Sequence, residues 1–132
     1  MNRFIFIAFV LALISASIFV QTQVKEQFVS AQIGTVSIEL QAYNSENELV
    51  LDKNIQIQKG KTAFQIMQEN TVIEFQDFSF GKFITSINGL QADSSKEYWA
   101  FYVNQEYSSV GVQEYIAENP AKLEFRLETI SE

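Results

Sequence analysis

Two stretches constrain the fold more than any other part of the chain: Phe80-Gly81-Lys82-Phe83-Ile84-Thr85-Ser86-Ile87-Asn88-Gly89-Leu90 and, after a polar gap, Tyr98-Trp99-Ala100-Phe101-Tyr102-Val103-Asn104. Their aromatic and β-branched residues suit a pleated, half-buried surface, and Asn88-Gly89 supplies a pair that tolerates positive φ in a tight turn. The sequence places two strands here, as the centre of a sheet.

The flanking segments supply the partners. Val36, Ile38, Leu40 and Ala42 alternate with Thr35, Ser37, Glu39 and Gln41, the period-two pattern of a strand with one wet face. Beyond the polar loop Asn44–Glu48, Leu49 to Ile57 offers a second strand with Leu49, Leu51, Ile55 and Ile57 on one side, making a hairpin. Thr62 can accept from the free amides of a helix over Ala63–Glu69, whose apolar stripe of Ala63, Phe64, Ile66 and Met67 predicts a short helix across the sheet's inner face. Val72 to Phe75 reads as a short strand or extended link, and Glu106 to Ser109 as a short return strand after the turn at Asn104-Gln105. Val110 to Ile116 carries no assignable pattern. After a loop at Glu118–Lys122, Leu123, Phe125 and Leu127 alternate with Glu124, Arg126 and Glu128 in a last strand.

The amino end differs in kind. Met1-Asn2-Arg3 leads an uncharged apolar run from Phe4 to Val20, at the lower limit of the roughly 17–25 residues that span a bilayer as a helix. Such a run is an export signal or an anchor, and Arg3 favours an orientation that leaves the rest outside the cytoplasm. Ser15-Ala16-Ser17 and Val29-Ser30-Ala31 are both small-residue cleavage candidates. The sequence thus divides into a signal peptide or anchor with tether over 1–31 and one domain over 32–132, secreted or held at the surface through residues 4–20.

Composition removes more chemistry than any motif adds. The chain has 132 residues, 47% of them hydrophobic, which is enough for one domain with a real core. Sixteen acidic residues against 9 basic ones give a formal charge of −7 with no basic run, which argues against nucleic acid as a partner. With neither His nor Cys, the chain has no imidazole base, thiolate nucleophile, disulfide or ordinary zinc site. No catalytic residue, metal ligand or cofactor is therefore assigned.

Gly60-Lys61-Thr62-Ala63-Phe64, the Gly81–Leu90 stretch with its Ile-Asn-Gly turn, Tyr98–Asn104, and Gly111-Val112 with Tyr115 together resemble the transcobalamin C-terminal-like domain family. The resemblance spans residues 33 to 129. It departs at Gln105, where the family has glycine, and at Asn119-Pro120-Ala121, which replaces a Gly-Asp turn. The resemblance implies an α+β, β-grasp-like fold with a mixed sheet and one short helix packed on one face. It also implies a soluble-ligand-binding relative of the domain that closes over the corrin ring in vitamin B12 carriers, where a larger helical domain stands beside it.

Alternation puts Trp99, Phe101 and Val103 on one face of their strand and Tyr98, Ala100 and Tyr102 on the other. Two readings of the tyrosine face follow. The tyrosines cover an open sheet face with their hydroxyls in water, or Tyr98, Tyr102, Ser86 on the neighbouring strand and Tyr107 form an aromatic platform for a flat or sugar-like ligand, a corrinoid among them. The paired acids Glu74 and Asp77 read as a solvated edge, and Ser94-Ser95-Lys96 as a loop. The function expected is non-catalytic binding of a soluble small molecule, with a structural or adhesive module that binds another surface protein as the alternative.

Overall fold

The computed structural model describes residues 34–131, so the apolar run and the division at residue 31 lie outside the described residues. The strands and the helix belong to one unit, Thr35–Glu132. Two strands, β1 (Thr35–Tyr43) and β2 (Leu49–Gln58), form the first hairpin. Its turn is built by Asn44, whose side-chain oxygen accepts from the amides of Glu46 and Glu48 at 3.0 and 2.8 Å. Val36, Ile38, Leu40 and Ala42 are buried as the alternation requires. Leu49 is not: a register shift between Ala42 and Tyr43 takes it out of phase with Leu51 and Ile57, and it is half exposed.

A two-residue strand, β3 (Lys61–Thr62), leads into the helix α1 (Ala63–Asn70). The helix start is a capping box: the Gln65 amide donates to Thr62 Oγ1 at 3.2 Å, and the Thr62 amide donates to Gln65 Oε1 at 2.9 Å. Two further amides of the first turn are met from outside the helix. Ala63 donates to the Tyr115 carbonyl and Phe64 to the Val112 carbonyl, at 3.0 and 2.9 Å. The patternless segment near Val110–Ile116 is thus a loop moulded on the helix start. At the other end Lys53 Nζ donates to the Asn70 carbonyl, a cation on the last free acceptors.

The remaining strands are β4 (Ile73–Phe78), β5 (Gly81–Ile87), β6 (Leu90–Gln91), β7 (Glu97–Val103), β8 (Glu106–Tyr107), β9 (Ile116–Ala117) and β10 (Ala121–Thr129). The main sheet runs β2-β1-β10-β7-β8, a smaller one runs β4-β5-β6, and β3 pairs with β9. β1 and β10 lie side by side and parallel, and the other pairs of the main sheet are antiparallel. The expected α+β class, a mixed sheet with one short helix, is what the chain adopts.

The expected centre of the sheet is a further correction. Residues 80–90 and 98–104 are not paired at the sheet's centre. The Asn88-Gly89 turn is real, with φ of 49° and 80°, but it closes β5 onto the two residues of β6. The chain then leaves that sheet through Asp93–Lys96, and β7 instead takes β10 as partner. The centre belongs to β10, which is flanked on both sides and buries Leu123, Phe125 and Leu127 against β1, β7 and the Ala63, Phe64, Ile66 and Met67 stripe of α1.

Candidate functional site

Separating β5 from β7 opens a cleft. It has a volume of about 1270 Å³, with the small sheet on one side and β7 with the loop that follows β8 on the other. The β4–β5 hairpin supplies Phe75, Phe78, Phe80 and Phe83. Phe78 and Phe80 stack at 5.3 Å with an interplanar angle of 11°, and Phe83 meets both edge-on at 5.5 and 5.7 Å. Phe80 is nonetheless 72% exposed. Three aromatic rings in mutual contact, all of them exposed, form an apolar surface turned to solvent, which a folded domain seldom keeps without use.

The hairpin is tied down by short-range chemistry. Gly81 has φ of 144°, a conformation that favours glycine. The Lys82 amide next to it donates to Gln113 Oε1 at 3.1 Å, linking the hairpin to the loop on α1. The Lys82 ammonium pairs with Asp77 and lies 4.9 Å from the Phe75 ring centroid. Phe75 meets Phe64 of α1 edge-on at 4.9 Å. The base of the hairpin is therefore anchored on the helix while its tip stays bare.

On the opposite wall, Trp99 and Phe101 belong to the buried core and also line the cleft. Phe101 is held between Phe125 and Tyr115, with ring centroids at 5.1 and 5.8 Å. The Trp99 indole N–H is buried and has no acceptor among the described residues. An unmet donor of this kind costs about 1–3 kcal/mol. β8 covers β7 only at Tyr102 and Val103, with one further bond from the Ser108 amide to the Phe101 carbonyl at 2.9 Å. Among the described residues, no strand pairs with that side of Glu97–Ala100.

The four residues expected to form a platform are divided. Tyr98, Tyr102 and Tyr107 come together on the outer face of the main sheet, where Tyr102 and Tyr107 meet edge-on at 5.5 Å. The Tyr102 and Tyr98 hydroxyls both donate to Glu128, at 2.5 and 3.4 Å. Ser86 is not with them. It pairs with Gln91 in the small sheet and is 4% exposed, because β5 never neighbours β7 in hydrogen bonding. Tyr98 and Tyr107 also reach the cleft, whereas Tyr102 and Ser86 do not line it.

Glu128 also sets the acid–base behaviour of this face. Its hydrogen bond is the main reason the Tyr102 phenol is raised above its ordinary value. Tyr98 is raised chiefly by desolvation, and Tyr115 by burial. A raised phenol is neutral in the folded state at a pH where the unfolded chain has begun to ionise. Its contribution is full below about pH 10 and is lost as pH rises through the folded-state values. The urea midpoint should fall from about pH 10 upward, and Tyr102→Phe should make that fall shallower.

Other expectations are met simply. Asp77 is taken by Lys82 in an ion pair, and Ser94-Ser95-Lys96 forms a turn in which the Ser95 amide and hydroxyl donate to Asp93 at 3.1 and 2.6 Å. The sequence reading missed the phenylalanine tip. Its spacing, Phe75-x-x-Phe78-x-Phe80-x-x-Phe83, is plain in the sequence, but a strand of phenylalanines reads as core until its exposure is known.

A family described as a domain of unknown function, DUF4430, matches residues 60–129. Among solved structures, haptocorrin in complex with Cbi is similar with a TM-score of 0.65 and 23% identity, over 75% of this chain and 26% of that one. The chain thus spans about a quarter of haptocorrin's length. A protein from Ruminococcus gnavus ATCC 29149, described as a candidate metal binding protein, is similar with a TM-score of 0.62 and 14% identity, over 73% of this chain and 99% of that one. No curated protein matches the sequence. At these identities the likeness is one of fold.

Proposed function

The chain belongs to the DUF4430 family of domains of unknown function, and on that footing we propose that it is a non-catalytic module holding a flat, largely apolar soluble ligand in its aromatic cleft. The observation that carries this reading is the stacked, exposed phenylalanine tip facing a cleft whose opposite wall includes Trp99 and Phe101. A ligand with flat apolar faces would cover both walls at once. The tyrosines enter at the rim, through Tyr98 and Tyr107. The likeness to haptocorrin, a protein seen with Cbi, makes a corrinoid the first compound to try.

The lack of His and Cys supports binding without catalysis. Arg3 and the apolar run that follows support a place outside the cytoplasm, with residues 1–31 as leader or anchor and 32–132 as the binding domain. A second reading rests on the same hairpin: Phe78, Phe80 and Phe83 beside the open edge of β7 would also suit a protein partner that adds a strand there.

Trp99 is the chain's single tryptophan and reports on the cleft directly. With the full chain in phospholipid nanodiscs, cobinamide should quench its fluorescence saturably. Phe80→Ala/Phe83→Ala should weaken the interaction at least about tenfold, the loss of two aromatic contacts. Unsaturable quenching up to about 1 mM, a Kd too weak for a dedicated site, would discard the corrinoid and favour the protein-binding reading.

A further inference from the structure

Three glutamates line the cleft from both of its walls: Glu74 on β4, Glu97 at the start of β7 and Glu114 in the loop that follows β8. None of them is in an ion pair among the described residues, and of their carboxylates only that of Glu97 accepts a hydrogen bond there, from the Asp93 amide at 3.1 Å. The base in the lining is Lys82, and Asp77 neutralises it. Lys96, on the turn that leads into β7, is paired with Asp93 at 3.6 Å, and Arg126 is held by Glu124 at 3.0 Å. The lining side chains therefore carry two negative charges in excess, and counting Asp77 makes three. Glu128, which accepts from the Tyr98 hydroxyl, adds to the same sign.

These acids are spread around the cleft, not gathered at one point. Among the described residues no three of them come close enough together to hold a metal ion, which needs converging oxygens. Their charge acts on the cleft as a whole. Carboxylates of one sign beside low-dielectric walls focus a negative potential into the space between them.

The rings act in the same direction. An aromatic face is the negative part of the ring's quadrupole and attracts a cation. The hairpin already seats one, because Lys82 Nζ lies 4.9 Å from the Phe75 ring centroid and 5.7 Å from that of Phe64. Phe78, Phe80 and Phe83 offer faces of the same kind, and among the described residues no cation lies over them. Bare rings and carboxylates without a cation thus share one space of about 1270 Å³, room for a ligand of several fused rings.

We propose that the cleft selects a flat organic cation, an aromatic ring system that carries its positive charge on a protonated or quaternary nitrogen. The proposal rests on the reading of the cleft as a ligand site and fixes the sign of the ligand's charge, which that reading leaves open. A neutral ring system would gain the apolar contacts alone, since exposed glutamates are solvated without it. An anion would gain the same contacts against the repulsion of three unpaired carboxylates. A cation gains from the rings and from the acids together.

Calorimetry on the full chain in zwitterionic phospholipid nanodiscs, with empty nanodiscs as the blank, tests this with three probes of one ring shape. At neutral pH 9-aminoacridine is a cation, acridine is uncharged and acridine-9-carboxylate is an anion. The cation should bind saturably and at least about tenfold more tightly than acridine, with the anion weakest. Glu74→Gln/Glu114→Gln should weaken the cation at least about threefold and leave acridine unchanged. Glu46→Gln/Glu118→Gln removes the same charge from exposed loops that do not line the cleft, and should leave all three probes unchanged. If acridine or its carboxylate binds as tightly as the cation, or if the two double variants weaken the cation alike, the proposal is overturned while the cleft stands as a ligand site. If none of the three saturates up to about 1 mM, the reading of the cleft as a site for flat ligands falls with it.

Discussion

Phe125→Ala should lower the unfolding free energy by about 3–5 kcal/mol, a large fraction of the stability of a domain this size. Phe125 is among the largest fully buried side chains, at 1% exposure on the central strand. Its ring stacks on Phe101 at 5.1 Å with an interplanar angle of 21°. Both neighbouring strands hold β10 in register, so the space left by the ring cannot close by a simple shift of one edge. The loss should appear as a lower urea midpoint at an unchanged slope. Phe80→Ala is the control, because a ring exposed at the hairpin tip should change stability by no more than about 0.5 kcal/mol. A loss below about 1 kcal/mol for Phe125→Ala would show that the ring is not the keystone of the sheet.

Arg126→Met should cost about 1–3 kcal/mol, although the side chain is partly exposed. The arginine supplies the hydrogen bond to the buried Glu124 carboxylate at 3.0 Å, and Lys122 at 3.7 Å cannot replace it without moving. Most of the penalty belongs to the carboxylate left behind, not to the ion pair as such. Glu124→Gln/Arg126→Met should therefore be more stable than Arg126→Met alone, and the double-mutant cycle should return a coupling of about 0.5–3 kcal/mol. Additive losses would mean that the carboxylate is solvated in the folded state and that the outer face holds no buried charge.

Much of the local structure was legible in the chain itself. The alternation of Val36 to Ala42 and of Leu123 to Leu127 marked inner and outer faces, and both strands bury the residues it named. Thr62 was readable as a helix cap and is one. Asn88-Gly89 and Asn104-Gln105 were readable as turns, and all four residues have positive φ. Each of these follows from interactions within a few residues, where propensity and periodicity act.

What the sequence could not specify is which strands become neighbours. Period two says which side chains share a face, yet it is silent on the strand beyond the edge, because that pairing joins residues far apart in the chain. For this reason the sequence sets Ser86 beside the tyrosines, although β5 pairs in another sheet. The same limit hid the cleft, since Phe78, Phe80 and Phe83 look like core residues until the departure of β5 from β7 leaves them bare. It hid Glu124 as well: a polar residue at an outward position reads as solvated, and only the side chains brought over it from β1, β7 and its own strand make it buried. The sequence by itself determined the elements, their caps and the faces they would bury, because those are set by local chemistry. The tertiary structure alone decided where the sheet splits and which polar and aromatic groups are left unmatched, because both depend on contacts between distant segments.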